Sequence, residues 1–194
     1  MEVKDNEVAE KAEDCGCGVT RRQVMVGAAV GTAALAASGF LTGKPAMAGD
    51  RMDGYPRKLI GKVSALQTDQ PVVFTYPQDS PSIFRSALIK LGVPAADGVG
   101  PEGDIVAYNG RCPHQGGELV PEDDQLRYDP PSKTLGPCPW HLSTFDARNE
   151  GIITSAHSTQ NLPQVQLEVE GDNIYAVGMK GLIYGMPDNL MKVS

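Results

Sequence analysis

The most regular pattern of hydrophobic and polar positions along the chain is QVQLEVE at residues 164–170. Polar and apolar side chains alternate there with a period of two, which is typical of an antiparallel strand with one buried face. The segment EGDN at 170–173 supplies turn residues and leads into the apolar run NIYAVG at 173–178. The pattern therefore predicts a β-hairpin in which these two strands pair directly.

Shorter apolar runs recur along the rest of the chain, and they favour strands over helices. Glycine and proline account for 22 and 15 of the 194 residues, a composition that favours short strands joined by loops. Only SIFRSALIKLG at 82–92 could form a helix, and an irregular strand is the competing interpretation. The sequence thus predicts an all-β domain over residues 49–194. Its other predicted strands are KLIGKVSAL (58–66), PVVFTY (71–76), DIVAYN (104–109) and GIITS (151–155).

Residues 1–48 have a different pattern and are predicted to be an export signal rather than part of this domain. Arg21 and Arg22 stand directly before an uncharged run, rich in glycine and alanine, that extends from Val24 to Gly43. The arginine pair and the weakly hydrophobic run resemble a twin-arginine (Tat) signal. This resemblance implies a periplasmic protein that is exported already folded around its cofactor.

The end of this segment favours cleavage over a retained anchor. Ala46 and Ala48 offer the small residues that a signal peptidase needs, so cleavage is predicted near Ala48. A transmembrane anchor is the alternative, because 20 uncharged residues could just span a bilayer. Contact with the membrane is therefore expected only if the signal is retained.

The charge of the chain excludes one class of partner. The formal net charge is −7, and it is −6 without residues 1–48, which carry five basic and six acidic residues. A nucleic-acid surface needs a basic patch, so no nucleic acid is expected as a partner.

Four of the five cysteine and histidine residues beyond residue 48 lie in two proline-rich loops. The first loop, within RCPHQGGEL, contains Cys112 and His114, and the second, within CPWHLSTFD, contains Cys138 and His141. Each loop therefore supplies one thiolate and one imidazole, both of which bind transition metals. The fifth residue, His157, is interpreted as a surface or loop residue.

Three kinds of site could use this set of residues. Two cysteines in an exported protein ordinarily suggest a disulfide, and two cysteines with two histidines also form structural zinc sites. Zinc modules of this composition usually pair their ligands by type, whereas here each loop carries one of each. A binuclear iron centre fits this arrangement better, because one iron can take both thiolates and the other both imidazoles.

The pattern C-x-H…C-x-x-H resembles the signature of Rieske [2Fe–2S] proteins. The resemblance implies an antiparallel β-sandwich with a cluster-binding subdomain of two loops and one [2Fe–2S] cluster per chain. Its ligands would be Cys112 and Cys138 on one iron and His114 and His141 on the other.

Other positions in the two loops follow or depart from the family pattern. Rieske proteins of cytochrome bc complexes join two further cysteines at the positions of Gly117 and Trp140, so this disulfide is absent and Trp140 is expected to pack around the cluster. Ser143 stands where the family's serine donates to a bridging sulfide, and Phe145 where a tyrosine bonds a cysteine sulfur. Leu142 replaces a common glycine, which predicts a negative φ there.

Four motifs are similar to motifs of the small subunit of arsenite oxidase. Related Rieske subunits also serve iodate reductase, and the sequence does not distinguish these two enzymes. STQNLPQ would supply a loop that covers the cluster around Pro163, and residues 121–133 look like an acidic, proline-rich insertion between the ligand loops. The motifs are VFTYP (73–77), GPEGDIVAYNGRCPHQGG (100–117), STQNLPQ (158–164) and GLIYG (181–185).

The resemblance implies that the chain transfers electrons and has no catalytic residues of its own. It would pass electrons from a large molybdopterin and iron–sulfur subunit, where arsenite is oxidised, to a periplasmic cytochrome c or cupredoxin. Two other functions stay open. One is the Rieske subunit of a quinol-oxidising cytochrome bc complex, which needs a retained anchor, and the other is a zinc-stabilised binding module.

Overall fold

The computed structural model describes residues 52–79 and 82–192, which belong to one unit of the chain, Pro45–Ser194. The predicted export signal, with Arg21, Arg22, Ala46 and Ala48, lies outside the described residues. Within them, no helix is long and apolar enough to cross a membrane.

The described residues form ten strands and two short 3-10 helices, Val63–Ala65 and Ser82–Phe84. The strands assemble into two antiparallel sheets. The strands are β1 (Lys58–Lys62), β2 (Val72–Thr75), β3 (Arg85–Lys90), β4 (Ile105–Asn109), β5 (Tyr128–Asp129), β6 (Thr134–Leu135), β7 (Thr144–Asp146), β8 (Ile152–Ser155), β9 (Gln164–Glu170) and β10 (Asn173–Lys180). The large sheet has the order β1-β10-β9-β4-β3-β2, and the small sheet has the order β5-β6-β7-β8. The predicted all-β class is confirmed.

The hairpin predicted from the alternating pattern is formed by β9 and β10. Glu170 at the end of β9 pairs with Asn173 at the start of β10 across the predicted turn. The apolar side chains of Val165 and Leu167 are buried, as the alternation in β9 predicts. Its strand β9 also pairs with β4, which leads into the first ligand loop.

The large sheet curls so that its two edge strands approach each other. The Lys58 ammonium group of β1 donates to the Thr75 carbonyl oxygen of β2 at 2.8 Å, although these strands stand at opposite ends of the strand order. The curled sheet encloses a first core in which Leu88, Ala107 and Ile174 are fully buried. Burying a large aliphatic side chain stabilises the fold by roughly 1.5–3 kcal/mol. This core contains none of the four predicted ligands.

The small sheet packs on a second core, which includes both ligand cysteines. Leu135 of β6 and Phe145 of β7 are paired in register, and both are fully buried there. The Tyr108 hydroxyl of β4 donates to the Ala147 carbonyl oxygen, directly after β7, at 2.9 Å. The ligand loops therefore extend from a packed base that is joined to the large sheet.

The ambiguous segment at 82–92 is mainly a strand. Its first residues form a 3-10 helix, and β3 follows between β2 and β4 in the large sheet. The four central residues of β3 are buried, so the run lacks the alternation that would distinguish a strand from a buried helix. The strands β5, β6 and β7 have only two or three residues each, too few to give a periodic signal in the sequence.

The predicted insertion between the ligand loops is fixed to the large sheet. The Lys133 ammonium group and the Tyr128 hydroxyl donate to the Asp69 carboxylate at 2.8 Å and 2.7 Å, respectively. Asp124 of the insertion also forms an ion pair with Arg85 of β3. The insertion therefore connects the small sheet to the large one at two points.

Candidate metal centre

The first ligand loop is a six-residue turn, residues 112–117, that two backbone hydrogen bonds close. The Cys112 N–H donates to the Gly117 carbonyl oxygen at 2.9 Å, and the Gly116 N–H donates to the Cys112 carbonyl oxygen at 2.8 Å. Gly116 has φ +83°, in the left-handed region that glycine adopts without strain. The turn buries Cys112 completely at its start.

The second ligand loop, residues 138–143, repeats this geometry. The Cys138 N–H donates to the Ser143 carbonyl oxygen at 2.9 Å, and the Leu142 N–H donates to the Cys138 carbonyl oxygen at 3.0 Å. Leu142 corresponds to Gly116 and has φ +60°. The predicted negative φ is wrong, because the two hydrogen bonds of the turn impose the left-handed conformation on its fifth residue.

The four predicted ligands come together as two pairs of like side chains. Cys112 and Cys138 are buried, are not joined by a disulfide, and have thiols that hydrogen-bond to each other. The rings of His114 and His141 are half-buried, and their centroids lie 4.6 Å apart with the ring planes at 74°. Over residues 52–79 and 82–192, no three Cys, His, Asp or Glu side chains are placed to hold one metal ion. The pairing by type is what a centre with two irons requires.

The surroundings of the thiol pair fit an iron-bound thiolate. Burial raises the pKa of the Cys112 thiol to about 11, and the neighbouring Cys138 contributes to the rise. The His114 backbone N–H and the Ser143 hydroxyl donate to the Cys112 sulfur and oppose this increase in pKa. Such a thiol gives up its proton when a metal ion takes the proton's place, because ligand binding requires the thiolate.

The surroundings of the imidazole pair also fit a metal ligand. Nδ1 of His114 is buried and has no hydrogen-bond partner among the described residues. Leaving a buried polar atom unpaired costs roughly 1–3 kcal/mol, and a metal ion at Nδ1 would remove this cost. Cys112, Cys138, His114 and His141 are therefore the residues that would hold the cluster.

Ser143 links the second ligand loop to the segment that follows β8. Its side chain is buried, and its Oγ accepts a hydrogen bond from the Ser158 N–H at 3.1 Å. The same hydroxyl donates to the Cys112 sulfur. A hydroxyl directed at sulfur is thus present at the position that the sequence indicates, and its bond to a bridging sulfide stays a prediction.

Gly117 and Trp140 contact each other where the two loops meet. A Cβ atom on Gly117 would lie 2.6 Å from Sγ of Cys138 and 3.3 Å from Cγ of Trp140, so a larger residue would displace the ligand sulfur. Trp140 therefore covers Gly117, but its side chain is 57% exposed. Only part of the Trp140 ring therefore packs against the ligand loops as expected, and the rest is exposed to solvent.

Phe145 and Pro163 contact the sheets. Phe145 is fully buried in the second core and has no hydroxyl group that could bond a cysteine sulfur. The Pro163 carbonyl oxygen accepts a hydrogen bond from the Asn109 N–H at 2.9 Å, and Gly181 lies next to the proline ring. These contacts belong to the large sheet and give no support to the expectation that Pro163 covers the cluster.

His157, in the loop after β8, lies next to both ligand histidines. Its ring centroid lies 5.9 Å from that of His114, stacked at 28°, and 6.2 Å from that of His141 at 83°. His157 is exposed on a loop, as expected, but no sequence pattern indicates that it lies next to both ligands. The signal that could have indicated it is its position directly before STQNLPQ, the motif expected to cover the cluster.

The C-terminal GLIYG motif makes a second contact with the site that no sequence pattern indicates. A Cβ atom on Gly116 would lie 2.7 Å from Cδ1 of Tyr184, so the tyrosine ring packs directly against the first ligand loop. The buried Asn189 holds this motif in place, because its side-chain amide donates to the Gly181 carbonyl oxygen at 2.9 Å. The motif therefore supports the loop that carries two of the ligands.

Two equivalent turns on an antiparallel β-structure, with thiols paired to thiols and imidazoles to imidazoles, define an iron–sulfur electron-transfer domain. Residues 57–166, more than half of the chain, match the model of the Rieske [2Fe–2S] domain, and the chain belongs to this family. Its cofactor is accordingly a Rieske-type [2Fe–2S] cluster.

Individual relatives and a solved structure agree with this assignment. The chain is 48% identical over 135 residues to iodate reductase subunit IdrB of Denitromonas iodatirespirans, and 47% identical over 131 residues to that of Pseudomonas sp. (strain SCT). The matches cover 70% and 68% of this chain, and 69% and 64% of the relatives. The soluble domain of Rieske protein II (soxF) from Sulfolobus acidocaldarius shares the fold, with a TM-score of 0.59 and 24% identity over 72% of this chain and 87% of that one.

Proposed function

We propose that the chain is the electron-transfer subunit of a periplasmic molybdenum oxidoreductase of the iodate reductase type. The observation that carries the proposal is the 48% identity to an iodate reductase subunit over 135 residues, a stretch longer than the 57–166 match to the Rieske family. The ligand loops are shared by all Rieske proteins, so similarity beyond them supports the same kind of assembly. Arsenite oxidase is the second candidate, on the motifs named in the sequence.

In this role the chain holds a redox centre and leaves the substrate chemistry to another subunit. A Rieske cluster, when bound, supplies the transfer of one electron at a time. The ligand cysteines are buried, whereas His114 and His141 are half-exposed. Electrons are therefore expected to enter or leave by way of the histidine pair.

Two partners follow from this proposal. The first is a large subunit that carries molybdopterin and an iron–sulfur cluster, and the second is a periplasmic cytochrome c or a cupredoxin. For iodate, electrons would pass from the soluble carrier through this chain to the large subunit, and for arsenite they would pass in the opposite direction. The predicted Tat signal with Arg21 and Arg22 supports assembly of the cofactor before export.

The assembled enzyme, purified through an affinity tag on this chain, provides the test. We expect a large subunit and molybdenum to copurify with the chain from the periplasmic fraction. After reduction with dithionite, the sample should give a rhombic EPR signal with an average g value below that of the free electron. Iron analysis of the isolated chain should give about two irons per molecule.

The same preparation distinguishes the two substrates. We expect iodate to be consumed with reduced methyl viologen as the donor. A Cys112→Ser variant should lose the Rieske signal, whereas Thr159→Ala, an exposed loop residue, should keep it and serves as the control. Copurification without molybdenum, or oxidation of arsenite without any consumption of iodate, would contradict the iodate proposal.

A further inference from the structure

The chain contains three histidines, and the structure brings all three together. The ring centroids of His114, His141 and His157 lie between 4.6 Å and 6.2 Å apart. Two of these rings are the predicted iron ligands, and the third is not among the residues expected to hold the cluster. The position of His157 beside both ligands therefore suggests that it influences the cluster without binding it.

The backbone on each side holds His157 at this place. Ala156 has φ +68°, a left-handed conformation that costs a non-glycine residue roughly 1–2 kcal/mol. On the other side, the Ser158 N–H donates to Oγ of Ser143, in the second ligand loop, at 3.1 Å. Residues 156–158 thus form a loop that this hydrogen bond joins to the second ligand loop.

We propose that His157 shields the imidazole pair from water and thereby lowers the reduction potential of the cluster. The His157 ring is roughly parallel to that of His114, at 28°, and nearly perpendicular to that of His141, at 83°. Both ligand rings are half-buried, whereas His157 is exposed, so the third ring stands at the surface beside both ligands. It occupies space that water would otherwise fill.

The sign of the effect follows from the charge of the cluster. With two thiolates and two neutral imidazoles, the oxidised cluster has no net charge, and the reduced cluster carries one negative charge. Water stabilises a charged group more than a neutral one. Excluding water therefore disfavours the reduced form and lowers the potential. This inference requires the cluster but no particular partner or substrate, so its failure would leave the proposed function untouched.

Two replacements separate the shield from the charge of the imidazole. His157→Ala removes both the ring and any charge, whereas His157→Phe removes the charge and keeps a flat ring. We expect the cluster-loaded His157→Ala protein to have a higher potential than the His157→Phe protein in a redox titration followed by EPR. Gln67→Ala, at an exposed position outside the ligand loops and the STQNLPQ motif, should leave the potential of the wild type unchanged.

Deuterium uptake near the ligands gives a second readout, one that a purely structural role would not change. After exchange into heavy water, the electron spin echo of the reduced cluster should show stronger deuterium modulation in His157→Ala than in His157→Phe. Equal potentials and equal modulation in the two variants would overturn the proposal. Loss of the cluster from His157→Ala alone would support it, because the ring would then be needed to keep water from the iron. Loss from both variants would overturn it.

Discussion

At the scale of single residues, Leu142 shows that a turn can override the conformational preference of its residue. Its N–H must reach the Cys138 carbonyl oxygen at 3.0 Å, and φ +60° follows. A left-handed leucine costs roughly 1–2 kcal/mol. Its side chain is 64% exposed, so burial offsets little of this cost. The hydrogen bonds that position the ligand cysteine therefore determine the backbone conformation here.

Alanine is usually the more stabilising of alanine and glycine, but the strained backbone predicts the reverse at residue 142. Leu142→Gly should be more stable than Leu142→Ala by about 0.5–1 kcal/mol, because both remove the side chain and only glycine relieves the strain. At Gln115, which is exposed in the first turn and outside the left-handed region, alanine should be the more stable replacement. The temperature at which the absorbance of the cluster is lost measures both orders. If the alanine variant were the more stable one at both positions, the second turn would have to adopt an unstrained backbone conformation in the variants.

Residue types at fixed spacing determine coordination chemistry, so the sequence could predict that the four expected ligands come together as a cysteine pair and a histidine pair. The contact of His157 with the ligands could not be predicted, because it depends on the path of the chain after β8. That path is held by the hydrogen bond between Ser158 and Ser143, which joins residues 15 positions apart. The sequence contains both residues of such a contact, but no pattern in it shows that they lie close together in the fold.

At the scale of secondary structure, the length of a pattern determines what could be predicted. The hairpin of β9 and β10 follows from a seven-residue strand with one buried face. The strand β3 is buried on both faces, so its pattern also fits a helix. The strands β5 to β7 have too few residues for any pattern, and pairing within the small sheet and packing on the second core hold them in place.

One of the two contacts that fix the insertion between the ligand loops depends on the carboxylate of Asp69. Burial would raise the pKa of Asp69, but hydrogen bonds from Lys133 and Tyr128 outweigh burial and lower the pKa below its ordinary value. A carboxyl group with a lowered pKa in the folded state stabilises the fold fully above its ordinary pKa of about 4. This stabilisation is lost as the pH falls through the lowered pKa.

Replacement of Asp69 should therefore have a pH-dependent effect on stability. Asp69→Asn should lower the free energy of unfolding at neutral pH by about 1–2 kcal/mol, since hydrogen bonds to a charged group are lost. The difference from the wild type should shrink as the pH falls below about 4. Urea unfolding followed by circular dichroism measures it, with Glu122→Gln, exposed in the same insertion, as the control. A difference that persists undiminished in acid would show that the charge of Asp69 does not hold the insertion.

At the scale of the whole molecule, the described residues have two cores that differ in their relation to the metal centre. The first core, within the large sheet, includes Leu88 and Ile174 and none of the ligands. The second core includes both ligand cysteines together with Phe145. No disulfide joins the two ligand loops in this chain, so the cluster itself is their covalent link.

Removal of the cluster should loosen the two ligand turns and leave the large sheet folded. Without iron, the buried Nδ1 of His114 and the thiol pair gain hydrogen bonds to water when the turns open, which favours local unfolding. The amides of Cys112 and Cys138, bonded to carbonyl oxygens within their own turns, should then exchange at least about tenfold faster, which corresponds to about 1.4 kcal/mol. Amides in the β9–β10 pairing should exchange at the same rate with and without the cluster, and reconstitution with iron and sulfide should restore slow exchange in the turns. Faster exchange throughout both sheets would show instead that the two cores unfold as one unit and that the cluster stabilises the whole domain.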